Sequence, residues 1–203
     1  MTNYLKGILY LLIIAALVAL FAWIVGKSNS PKYQINTSAG AIIEQMRELN
    51  RLETATFTIE KVIDAGTSGN AFSQFLFGDK ILLIARGNVI AGFDLATLNE
   101  NAVNIENGTI LRFQLPEPQI LTVALDNSQT RVFDRKLGIL TKGNPNLESE
   151  ARAAAEITIR KAACEAGILD AAGKNAGAIL SHLFEAVGFK SVQVIVPVPV
   201  ACE

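Results

Sequence analysis

The chain has 203 residues, with 18 Lys+Arg against 19 Asp+Glu and a net charge of −1. That balance provides no overall basic field for nucleic acid, so a polyanion partner is not expected. A single histidine, His182, excludes most His-based metal sites and leaves few routes to a Ser/Cys–His pair, and no P-loop signature is present.

Residues Ile8–Val25, ILYLLIIAALVALFAWIV, contain no charge. As a helix they are roughly 27 Å long, close to the hydrocarbon thickness of a bilayer. The reading is an uncleaved single-pass anchor over residues 1–27 with the lipid bilayer as partner through 8–25, because the run is longer than a usual signal-peptide core. Tyr4 and Tyr10 toward one end and Trp23 toward the other suit interface anchors. Lys6 on one flank and Lys27 and Lys32 on the other nearly tie the orientation count. A short amino-terminal tail before a large domain tilts the expectation toward an extracytoplasmic domain.

Residues 28–36 read as a linker, and Pro31 stops helix propagation. From residue 37 to 203 a single α+β domain is expected, a mainly antiparallel sheet of hairpins against two Ala-rich helices, with a final edge strand. Thr37 or Ser38 caps a short helix to about Asn50, with Ile42, Ile43, Met46 and Leu49 inward. ETATFTIEKVI alternates as a half-buried strand, and AFSQFLF is expected as one or two helical turns pressed on the core.

KILLIARGNVIAGFDL reads as two strands joined by a tight turn at Gly87-Asn88, with KILLIA covered on both faces. Asn107-Gly108 marks another hairpin, between VNIE and TILRFQL. Pro116 and Pro118 interrupt pairing, and ILTVALD and TRVFDR supply further strands. A helix is expected from Asn146 to a stop at Gly167, with Ala151, Ala155, Ile159, Ala162 and Ala166 on its apolar face. Glu148, Arg152, Glu156 and Arg160 alternate in sign at i, i+4 spacing, as a solvated face does. A second helix spans about Leu169 to Val187, with Ala176, Ile179, Leu180, Leu183 and Val187 inward, and SVQVIVPV ends the fold as an edge strand.

No catalytic, cofactor or metal residues are assigned. The candidate interaction surface is Asp94, Leu95, Pro116, Glu117 and Pro118, since an Asp at a strand end and a rigid double-proline loop make poor core filling. Cys164 and Cys202 come within disulfide range if the last strand lies under the first long helix; in a reducing compartment they stay thiols.

Several segments together resemble a bacterial family, domain of unknown function 4230. The similarity runs through TATFTIEKVI and RGNVIAGFDL, where Gly87, Gly92, Asp94 and Leu95 fit the family's glycine and Asp-Leu pattern. It continues through LPEPQIL with Leu115, Pro116, Pro118 and Ile120, then EARAAAE, AGILDAAGKNA and LFEAVGF. The family often carries Tyr where this chain has Phe57. The resemblance implies a bacterial single-pass membrane protein whose domain has no assigned activity, and no catalytic residue carries over. The expected function is a membrane-tethered, non-enzymatic domain that binds a protein or envelope partner. The alternative is a self-assembling, homo-oligomeric scaffold loosely like the stomatin and flotillin class.

Overall fold

The computed structural model describes residues 14–21, 23, 38–199 and 202. The chain divides into two compact units, Met1–Asn36 and Thr37–Glu203. In the first, residues 14–21 and 23 are helical. Among the described residues no helix is long and apolar enough to cross a membrane. Half of the run Ile8–Val25 expected to span, and the linker after it, lie outside those residues.

The second unit is α+β. Its frame is an antiparallel pair, β1 (Arg51–Gly66) and β2 (Asp79–Asp94), each of 16 residues and paired from end to end. At about 3.3 Å per residue these strands run roughly 50 Å. Against the far edge of β2 lie β5 (Gln119–Leu125) and, further along, β6 (Arg131–Leu137), both antiparallel to it. A smaller sheet has the order β3 (Val103–Glu106), β4 (Ile110–Gln114), β7 (Ser191–Ile195). Here β4 and β7 are parallel. The β3–β4 turn is the one expected, with Asn107 at φ 53° and Gly108 at φ 68°.

The turn expected at Gly87-Asn88 does not form: both residues lie inside β2, and neither has a positive φ. Close approach explains the glycines instead. A Cβ on Gly87 would meet the Ala124 carbonyl oxygen at 3.0 Å and Ile159 Cδ1 at 3.2 Å. One on Gly92 would sit 1.9 Å from the Leu52 carbonyl oxygen, beside the register shift between Glu53 and Ala55. KILLIA is central in its sheet but covered on one face only: Ile81, Leu83 and Ala85 are buried, whereas Leu82 and Ile84 are half-buried.

Helix α1 (Ala39–Glu48) starts at Ser38, whose Oγ accepts from the Ala41 N–H at 3.4 Å. It buries Ile42, Ile43 and Met46, while Leu49, beyond the last turn, is exposed. Helix α2 (Ala71–Phe77) is AFSQFLF, and none of its residues is buried, so it is not pressed on the core. Helix α3 (Leu147–Glu165) covers the large sheet with Leu147, Ala151, Ala155, Ile159 and Ala163. Of the expected face, Ala162 is half-buried and Ala166 exposed. Gly167, at φ 77°, turns the chain into α4 (Ile168–Val187).

Helix α4 buries Ile168, Leu169, Ala172, Ala176, Leu180 and Phe184, an i+4 stripe, and leaves Ile179, Leu183 and Val187 exposed. The inward face is therefore rotated from the expected one, keeping only Ala176 and Leu180. Two cores result. The first half of α4 packs with α3 on the large sheet, and the second half packs with α1 on the small sheet. Both β2 and α4 contribute to each core, which ties the two sheets together.

Candidate functional site

Asp94 ends β2 and organises the turn after it. Its Oδ1 accepts from the Ala96 N–H at 3.1 Å, and its carbonyl accepts from Thr97 Oγ1 at 2.7 Å. Leu95 is fully buried in the small-sheet core, held also by its N–H to the Asn50 carbonyl at 2.7 Å. In the double-proline loop Pro116 is half-buried, Glu117 exposed and Pro118 buried. Leu95 and Pro118 therefore serve packing, and the accessible part of the expected surface is Glu117 with half-exposed Asp94 and Pro116.

That loop separates two depressions. Pro116 and Glu117 line one of about 220 Å³, together with Thr97, Asn99 and Gln114. Pro118 lines the other, of about 420 Å³, with Asp170, Gly173 and Lys174 of α4. Pro197, after β7, borders both. The loop leaves the small sheet at Gln114 and enters the large one at Gln119, so its prolines mark where the chain changes sheets.

A buried, ion-paired carboxylate lies elsewhere and is invisible to sequence patterning. Asp79, at the start of β2, is 1% exposed. Arg135 Nε donates to its Oδ1 at 3.1 Å and Nη2 to its Oδ2 at 2.8 Å, a bidentate pair across β2 and β6. The Asn144 N–H donates to the same Oδ2 at 2.6 Å. These donors, the Arg135 side chain foremost, hold the Asp79 carboxyl below its ordinary range against the opposing effect of burial. Reciprocally, the hydrogen bond that Arg135 donates to Asp79 raises the Arg135 pKa. Partners 56 residues apart leave no local signature. A carboxylate so fully engaged fixes the 138–146 loop to the sheet; it has no proton to exchange near neutrality.

Cys164 of α3 and Cys202 are joined, with Cα atoms 5.5 Å apart and 38 positions between them in sequence. Cys202 packs against the large-sheet core, and the bridge ties it to α3, whereas β7 itself lies in the small sheet beside β4. His182 is 84% exposed, 3.8 Å from Glu185. Of the alternating charges on α3, Glu148 and Arg152 pair at 2.9 Å. Among the described residues no group of three His, Cys, Asp or Glu is placed to hold a metal ion.

Neither the curated proteins nor the solved structures include a match to this chain. Residues 44–194 match the family described as Protein of unknown function (DUF4230). This stretch holds the whole β1–β2 frame, the two long helices and all of both sheets but Ile195, and the chain belongs to that family.

Proposed function

We propose that this chain is a membrane-tethered, non-enzymatic domain on the extracytoplasmic side, where it binds a protein or envelope partner. The tether rests on the uncharged run Ile8–Val25. The observation that carries the compartment is the Cys164–Cys202 bridge, because disulfides persist where the surroundings are oxidising. The surface offered to a partner is Glu117 and the two depressions flanking it. A binding role accords with the electrostatics, since the strongly paired Asp79 works as a clasp.

The test is labelling of Cys202 in intact cells with a membrane-impermeant thiol reagent, before and after reduction. Labelling only after reduction is the expected result. Labelling without reduction overturns the bridge, and labelling only after permeabilisation overturns the compartment.

One feature favours the scaffold as a second reading. Among the described residues no strand pairs with the outer edge of β1, and a 16-residue edge is a template for pairing with another copy. Light scattering on the purified chain decides: a monomer removes the scaffold, and a defined higher oligomer favours it.

A further inference from the structure

We propose that the end of the large sheet carrying α2 is a bilayer-contacting tip that seats on an anionic lipid surface. Helix α2 has the composition of a core element, AFSQFLF, yet buries none of its residues. Phe72 is 72% and Phe75 62% exposed, and one helical turn separates them on a shared face. The segment after β6 joins them. Ile139 N–H donates to the Phe75 carbonyl at 3.1 Å and Leu140 N–H to the Leu76 carbonyl at 2.8 Å. These bonds satisfy carbonyls left open at the end of α2 and set Ile139 and Leu140, 68% and 64% exposed, beside the phenylalanines. A contiguous apolar patch in this setting marks a contact with another phase or molecule.

Charge identifies the occupant. Within residues 65–80 and 135–146 the basic side chains are Lys80, Arg135, Lys136 and Lys142, and the sole acid is Asp79, already paired with Arg135. Lys80 and Lys136 stand directly opposite each other across β2 and β6, which sets two cations side by side on one face of the sheet. Four acids border the tip: exposed Asp64 at the end of β1, Asp134, whose carboxylate is 3.9 Å from Lys136, and Glu148 and Glu150 in the first turn of α3, Glu150 3.5 Å from Asn144 Nδ2. Apolar side chains with a lysine fringe, on a chain of net charge −1, are what enters the boundary between acyl chains and anionic headgroups. A second copy fits less well, since tip-to-tip contact sets these lysines against their own copies.

The inference rests on the tip's residues and not on the tether, and the experiment separates the two. The full-length chain carrying Phe75→Cys is labelled with the environment-sensitive fluorophore NBD under non-reducing conditions. It is then reconstituted in phosphatidylcholine vesicles with or without phosphatidylglycerol, and Ile157→Cys on α3 serves as control. Resistance to alkaline extraction reads the tether. Quenching of NBD by doxyl-labelled lipid reads the tip. Expected are a blue-shifted emission and quenching at position 75 only with phosphatidylglycerol, none at 157, and loss of both in Lys80→Glu/Lys142→Glu. An aqueous emission at 75 in both vesicles overturns the proposal. So does a blue shift without lipid quenching, which would mean that another protein or the chain's own amino-terminal unit covers the tip.

Discussion

Two phenylalanine clusters within the Thr37–Glu203 unit have opposite fates. Near the small sheet, Phe93, Phe113, Phe184 and Phe189 are buried, with Phe113 and Phe184 edge-to-face at 5.8 Å and Phe184 and Phe189 at 6.2 Å. At the start of β2, Phe72, Phe75 and Phe77 are exposed. The residue type is the same, so hydrophobicity alone does not decide burial. The first cluster has a second layer, because α1, α4 and the small sheet close over the end of β2. The second cluster has no such layer, and α2 buries none of its residues.

The largest effect that can break this comparison is in the buried cluster. Phe113→Ala removes a fully buried ring and leaves a cavity between the small sheet and α4. Loss of about 3–5 kcal/mol is expected in denaturant unfolding. A loss near that of a surface change would mean that the small sheet is not a cooperative part of the fold. Next comes the bridge. Cys202→Ser opens a loop of 38 positions, and the chain-entropy model gives about 3–4 kcal/mol. The checking measurement is thermal unfolding with and without reductant: the native chain should fall to the variant's value under reduction, and the variant should not move.

The clasp at Asp79 comes third, and its sign follows from its pKa. The hydrogen bonds from Arg135 and Asn144 hold the folded carboxyl below the ordinary aspartate range, so its contribution is full above that range. It is lost as pH falls through the lower folded pKa. The native chain should therefore lose stability from about pH 4 downward more steeply than Asp79→Asn, which has nothing to protonate there. Parallel acid-unfolding curves for the two proteins would remove the clasp as a contributor.

How far these features can be read from the sequence depends on the distance over which each is determined. Asn107-Gly108 was legible because the turn's positive φ angles are local demands that those two residues meet. Gly87-Asn88 carries the same local signal, but its glycine answers to close approach by the Ala124 carbonyl and by Ile159, 72 positions away. The inward stripe of α4 is not legible locally because Ile179 and Leu183 are as apolar as Leu180 and Phe184; only the shape of the two sheets chooses between the faces. Among candidate site residues, Pro116 and Glu117 were legible as a rigid loop, whereas the side-chain pairing of Asp79 with Arg135 depends on the β2–β6 register.

A smaller effect is expected at the legible turn. Gly108→Ala meets no neighbour within 4 Å, so the cost is conformational, from a φ of +68°. About 1 kcal/mol is expected from equilibrium unfolding. A neutral outcome would show that the β3–β4 turn relaxes without disturbing the small sheet.

The smallest change in stability is predicted at the exposed phenylalanines, and it sharpens the comparison most. Phe72→Ser and Phe75→Ser remove side chains that are already in water, so no buried contact or cavity term enters. Each should shift unfolding by no more than about 0.5 kcal/mol. A destabilisation like that of Phe113→Ala would mean that α2 is covered after all, and that its exposure does not hold for the full chain. A near-neutral result means that these rings contribute little to folding, and a contact outside the domain becomes the remaining physical reason for a solvent-facing row of phenylalanines fringed by lysines.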